Sequence, residues 1–278
     1  MPGRSLGRED LVQELTNHVV ICNCNEKVKA IVEELQAGHY RPPMDVVLLI
    51  QDAVLWQANP SWHPVPQPGP RFVTLYGSPF DPAILSEACI SKASVAIILA
   101  DPRQKNLADA QSTLMAVAIE EQNPHVHTVQ ELILSINREH LKAMHVDEIV
   151  CLGDISEKMI AQSCISPGVK NIFEALLTSE KGTPQILLPS LPPALDGATF
   201  REIAAQSIRA HAPFIVIGYI LNDNKHGRIE DAAPRMMVKR FRINPGGNAK
   251  DRPLSAGDQL IVIGYTFPED LSRYAPLS

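Results

Sequence analysis

Residues 18–28, His-Val-Val-Ile-Cys-Asn-Cys-Asn-Glu-Lys-Val, constrain the fold of this chain more than any other stretch. A short apolar run, Val19–Cys22, breaks at a turn and gives way to a helical pattern with Val28, Ile31, Val32 and Leu35 on one side. Apolar strand, tight turn and amphipathic helix are the start of a βαβ unit. The spacing is also that of the glycine fingerprint of dinucleotide-binding domains. The fingerprint would put glycines at 23, 25 and 28, but this chain has Asn23, Asn25 and Val28. Asn tolerates positive φ better than most residues, so the turn survives. Val28 adds bulk where helix meets strand. The fold signal is kept and the nucleotide signal is weakened, a combination that points to a sensor domain more than to a dehydrogenase.

The βα pattern continues to about residue 150. Strands are expected at Val19–Cys22, Val46–Ile50, Phe72–Tyr76, Val95–Leu99, Val126–Glu131 and Glu148–Cys151. Helices are expected at Glu26–Ala37, Pro82–Ala88, Ala108–Gln122 and Asn137–Met144. The strands are mostly continuous apolar runs, as in a parallel sheet covered on both faces. The expected fold class is therefore α/β, a Rossmann-like doubly wound parallel sheet. Residues 53–70 interrupt the alternation with Trp56, Trp62 and prolines at 60, 64, 66, 68 and 70. So long a loop is read as either functional or disordered.

Downstream, Ile155–Ile165 and Val169–Thr178 are expected as two helices broken at Ser166-Pro167-Gly168. Each carries an apolar face, which suggests a partner. The remaining strands, expected at Gln185–Leu188, Pro213–Leu221, Met236–Ile243 and Gln259–Tyr265 with a helix at Thr199–Arg209, make a small α+β lobe. Composition narrows the function. The chain has 278 residues and a net charge of −6, which argues against non-specific nucleic-acid binding. No apolar run reaches the 18 or so residues of a transmembrane helix, and residues 1–16 lack a signal-peptide core. Five cysteines, an odd count scattered through predicted elements, fit a reducing compartment. No nucleophile elbow, Walker lysine or HExxH motif is present, so the chain is not expected to be an enzyme.

Several segments in order carry a family resemblance. They are His18–Leu35; Gly77-Ser78-Pro79 with Asp81, Leu85, Ala88, Ile90 and Ala93; Val95–Asp101; Asp147-Glu148-Ile149-Val150; Asn244-Pro245; and Leu254–Gly264. Together they resemble the RCK domain (regulator of potassium conductance), the cytosolic gating module of ligand-gated potassium channels and uptake systems. Residues 160–177 look similar to the single-RCK channels of the plant nuclear-envelope type and their bacterial relatives. The resemblance implies a linker at 1–17, a Rossmann-like lobe at 18–150, a crossover hairpin at 151–180 and a C-terminal subdomain at 181–278. It also implies a homo-oligomer, a dimer through the hairpin assembling to an octameric ring, coupled to a potassium channel pore at the inner face of the membrane. The rival reading is an NAD(P)-dependent oxidoreductase with a degenerate fingerprint.

Candidate ligand residues follow from strand ends, where open α/β sheets bind. They are Asn23, Cys24 and Asn25 in the first turn, Asp52 after the second strand, Gly77 and Ser78 after the third and Asp101 after the fourth. Asp52 sits where a ribose-binding acid would. The plain alternatives are a capping asparagine, a turn glycine and solvated acids. A carboxylate pair at Asp52 and Asp101 favours a cation or a hydroxyl-rich ligand over a bare anion. Asp147 and Glu148, with Glu174, are a candidate oxygen set for Ca²⁺, against a plain solvated reading. The expected small-molecule or cation ligand is thus Ca²⁺ or a nucleotide such as NAD or ADP.

Overall fold

The computed structural model describes residues 15–37, 44–65, 68–137, 146–180, 182–221, 240–266, 268 and 270–274. It divides into two compact units, one reaching Pro167 and the other starting at Gly168. The first holds β1 (Val19–Cys22), α1 (Val28–Ala37), β2 (Val46–Ile50), α2 (Ala53–Ala58), β3 (Phe72–Tyr76) and α3 (Pro82–Glu87). It continues with β4 (Val95–Ile98), α4 (Ala108–Gln122), β5 (His127–Leu132), β6 (Glu148–Cys151) and α5 (Leu152–Ile165). The six strands form one parallel sheet in the order β3-β2-β1-β4-β5-β6. Chain direction across the sheet reverses between β1 and β4, as the strand and helix alternation requires of a doubly wound fold.

Both sheet faces are covered, which explains why the strands read as unbroken apolar runs. On one face Val28 and Val32 of α1 and Trp56 of α2 pack with Val19, Ile21, Val46 and Leu48. On the other, Leu85 of α3 and Met115, Ala116 and Ile119 of α4 pack with Val20, Cys22, Leu49 and Leu75. Leu15, in the segment expected as linker, is fully buried in this second cluster. The buried Asp109 of α4 accepts from the Ile133 and Leu134 N–H groups (2.8 and 3.1 Å) and from Asn137 Nδ2 (2.7 Å), tying the end of β5 to the helix.

Residues 53–62 hold more regular structure than the sequence suggests. The expected loop contains α2 and a 3₁₀ turn at Pro60–Trp62. Asp52 caps α2 by accepting from the Leu55 N–H, and Trp56 anchors the helix in the core. His63 stacks on Trp56 at a centroid distance of 4.5 Å and places Nε2 2.9 Å from its carbonyl oxygen. The prolines thus bound a folded element. The helix expected over 137–144 lies almost wholly outside the described residues, with Asn137 ending a 3₁₀ turn.

The second unit begins at Gly168, whose φ of +93° suits glycine and marks the start of α6 (Val169–Leu177). Then follow β7 (Gln185–Leu187), α7 (Phe200–Arg209), β8 (Phe214–Leu221), β9 (Arg240–Ile243) and β10 (Gln259–Gly264). These strands form an antiparallel sheet in the order β7-β10-β8-β9. Residues 236–239 of the expected third strand lie outside the described residues. A capping box, Thr199 with Glu202, starts α7. Phe200 and Ile203 then pack on Phe214, Val216, Leu260 and Val262.

Candidate functional site

The first turn is built from side-chain amides. Asn23 follows β1 at φ +59°, in the left-handed region that asparagine tolerates. Its Nδ2 donates to the Leu99 carbonyl at 3.0 Å. Asn25 is buried, donates through Nδ2 to the Ala100 carbonyl at 3.1 Å and accepts from the Lys27 N–H at 3.0 Å. The two asparagines therefore join the turn to the chain after β4, across the gap where the strand order reverses. Cys24 Sγ faces the carbonyls of Ile21 (3.7 Å) and Leu49 (3.6 Å). Burial pushes the Cys22 thiol up to about 12. Burial, with the neighbouring Cys22, also pushes Cys24 well up. Burial thus holds both thiols in the protonated, weakly nucleophilic form.

A polar bridge stands beside this turn. Arg103 Nε and Nη2 fork onto the two carboxylate oxygens of Asp101, both at 2.9 Å, and Nη1 reaches Asp52 Oδ2 at 3.2 Å. Asp52 also accepts from the Leu55 N–H at 2.9 Å. That backbone bond first, then Arg103, holds its carboxyl below the usual range. For Asp101, burial pushes upward but is outweighed by the Arg103 bonds, so its carboxyl also lies low. Both acids are ionised at neutral pH and share one guanidinium. Around them opens a cleft of about 820 Å³ lined by Asn23, Cys24, Asn25, Asp52 and Asp101, with Trp62 and Asn59 from the 53–70 segment and Gln111 from α4.

A second ion pair braces the first turn. Lys27 Nζ contacts Glu131 Oε1 at 2.5 Å, and Glu131 Oε2 accepts from the Ala100 N–H at 3.1 Å. The nearly buried Glu131 thereby ties the first turn, the end of β4 and the end of β5 together. Arg103, Lys27 and Glu131 escaped the sequence reading. Arg103 meets Asp52 across 51 residues and Lys27 meets Glu131 across 104, and no local motif marks either pair.

Gly77 and Ser78 stand at the end of β3 and do not line the cleft. A Cβ on Gly77 would lie 2.6 Å from Ile84 Cδ1 and Cγ1, so its place is set by close packing of α3. Ser78 Oγ accepts from the Phe80 N–H at 3.3 Å, a turn contact. The candidate calcium residues belong to both units. Asp147 Oδ2 accepts from Thr128 N–H and Oγ1 (2.9 and 3.2 Å), pairing the amino ends of β5 and β6, opposite the cleft. Glu148 is exposed nearby, and Glu174 belongs to the second unit, paired with Lys170 at 2.7 Å. Among the described residues, no group of three or more His, Cys, Asp or Glu side chains is placed to hold a metal ion.

Comparison with known proteins bears on this geometry. Residues 14–130 match the calcium-activated potassium channel slowpoke-like RCK domain family. Potassium channel subfamily T member 1 of mouse is 24% identical over 170 residues, covering 59% of this chain and 14% of the relative; its human counterpart matches at the same identity and coverage. The human SLO3 gating ring superposes with a TM-score of 0.61 at 15% identity, over 93% of this chain and 46% of that one. The GsuK channel bound to NAD aligns over 90% of this chain and 36% of its own, at 18% identity and a TM-score of 0.42. The chain spans 14% of the length of the curated relatives it matches. Among the described residues no helix is long and apolar enough to cross a membrane.

Proposed function

We propose that this chain, whose residues 14–130 match the slowpoke-like RCK domain, is the ligand-sensing regulatory module of a potassium channel or transporter. One observation carries the reading. The cleft lies at the carboxyl ends of β1, β2 and β4, where doubly wound sheets bind ligands, and two ionised acids converge there around Arg103. The module works on the cytosolic side of the membrane and is not an enzyme. A ligand that prefers one arrangement of the cleft shifts the balance between two states of the assembly, by no more than its differential affinity for them. The oxidoreductase reading loses support from the first turn. Asparagine side chains and the Lys27 N–H, already bonded to one another or to the chain after β4, stand where a dinucleotide's pyrophosphate needs open backbone.

The cleft suits a small polar ligand, a cation or a nucleotide fragment, that offers hydroxyls or positive charge to Asp52 and Asp101. A thermal-shift screen of Ca²⁺, Mg²⁺, NAD⁺, NADH, ADP and ATP tests this. One of these is expected to stabilise the protein, with the response weakened in Asp52→Ala and Asp101→Ala. Both variants responding like the parent, while Asp147→Ala or Glu174→Ala abolishes the response, would move the site away from the cleft. Assembly through the hairpin is part of the proposal. Ile155, Ile160 and Ile165 of α5 and, separately, Ile172, Phe173 and Leu177 of α6 are exposed, apolar positions on each helix that suit a dimer on the way to an octameric ring. Phe173→Asp should lower the mass measured by light scattering; an unchanged, folded oligomer counts against the hairpin.

A further inference from the structure

We infer that Arg103 is a strap across the cleft, holding the segments after β2 and β4 together and setting how readily the cleft opens. This rests on the cleft being the sensing site. Asp52 and Asp101 follow the two strands that flank β1, one on each side. Arg103 is the group that spans them, with a two-pronged bond to Asp101 and a single bond to Asp52. The attachment is unequal. The Asp101 side chain is 15% exposed and tied at both oxygens as well as to the Arg103 backbone N–H. The Asp52 side chain is 46% exposed and holds Arg103 by one bond at 3.2 Å, the longest of the three. The strap is thus rooted on the β4 side and detachable on the β2 side.

Releasing the Asp52 contact frees α2, capped by Asp52, from the turn after β4. Because Trp62 and Asn59 line the cleft from the same segment, the detachable end borders its mouth. The bond is electrostatic and solvent-exposed, so salt weakens it. Any ligand reaching the cleft acts against the same bond, a cation by replacing the guanidinium at Asp52 and an anion by drawing it away. The core packing of Trp56 and the Lys27–Glu131 pair at the first turn do not depend on the strap.

Hydrogen exchange of the full ligand-free chain tests this. At low salt, Arg103→Ala is expected to speed exchange over 51–58 and 101–107 by about three- to fivefold, the scale of an exposed ion-pair network. Asp52→Asn, which keeps the helix cap but removes the charge, should reproduce the effect over 51–58. Raising salt to about 0.5 M should bring the parent close to the Arg103→Ala rates and leave that variant unchanged, since the Debye length falls to a few ångströms. The inference is overturned if Arg103→Ala exchanges like the parent in both segments, if its salt response persists undiminished, or if α4 loses protection equally. The last outcome would make Arg103 a general support of the unit. The exchange readout needs no ligand, so a screen in which nothing binds would sink the sensing reading while leaving the strap measured.

Discussion

Gly77→Ala separates a packing glycine from a ligand-binding one. The added methyl would sit 2.6 Å from both Ile84 Cδ1 and Cγ1 and 3.1 Å from Cγ2, against about 3.5–4.0 Å for a comfortable carbon contact. Ile84 packs against the core below α3, so it cannot swing freely away. Overpacking of this kind costs about 1–3 kcal/mol. Against it stands a gain of about 0.4–1 kcal/mol from a less flexible unfolded chain, available because the φ of Gly77 is not left-handed. The net loss is about 1–2 kcal/mol. Both tryptophans of the chain, Trp56 and Trp62, lie in the first unit, so their fluorescence reports that unit alone. With a urea m-value of about 2 kcal/mol/M, the midpoint should fall by roughly 0.5–1 M. In an Ile84→Ala background the clash is gone and the same change should become neutral or stabilising by up to about 1 kcal/mol. An equal loss in both backgrounds refutes the packing argument. An unchanged midpoint together with lost ligand response would return Gly77 to the binding site.

His18 is fully buried at the start of β1, with Nε2 2.9 Å from the Ala88 carbonyl oxygen and Nδ1 without a partner among the described residues. Burial holds its pKa below the ordinary 6.5. The unfolded chain therefore binds the proton more readily, and stability should decline as pH falls below about 6.5. Urea midpoints by fluorescence between pH 7.5 and 5.5 should show this slope, reduced in His18→Gln; an equal slope in the variant would assign it to other groups. Of the five thiols, Cys164 alone is exposed, so peptide mapping after brief alkylation should find it labelled first. Early labelling of Cys22 would contradict its buried, protonated state. Thr199→Ala removes half of the capping box and should cost the second unit about 1 kcal/mol. Undiminished protection of α7 in hydrogen exchange would argue that tertiary packing alone sets the helix start.

The sheet was legible because its strands are apolar runs whose boundaries fall within a residue or two of β1 to β6. Helix α4 matches its expected bounds, since its ends are marked by a proline-led turn and Asn123. The prolines after Trp56 concealed α2, although Asp52 in front of Ala53 was a capping signal open to reading. Asp52 and Asp101 line the cleft, where their positions at strand ends put them. Their shared guanidinium was not legible, because Arg103 pairs with Asp52 across 51 residues of sequence. Lys27 and Glu131, 104 residues apart, were hidden in the same way. Sequence spacing reports what one element presents; it is silent on which charges from separate loops meet.

The asparagine turn also bears on how such a chain can change. Restoring glycine at 23 and 25 would clear room for a pyrophosphate, yet it would remove the amide donors that the Leu99 and Ala100 carbonyls now receive and the acceptor that holds the Lys27 N–H. Each single reversion loosens the junction of β1 with β4 before any phosphate can bind there. The amide form of the turn thus exchanges room for a pyrophosphate for a fixed junction, which leaves ligand specificity to the other residues of the cleft wall.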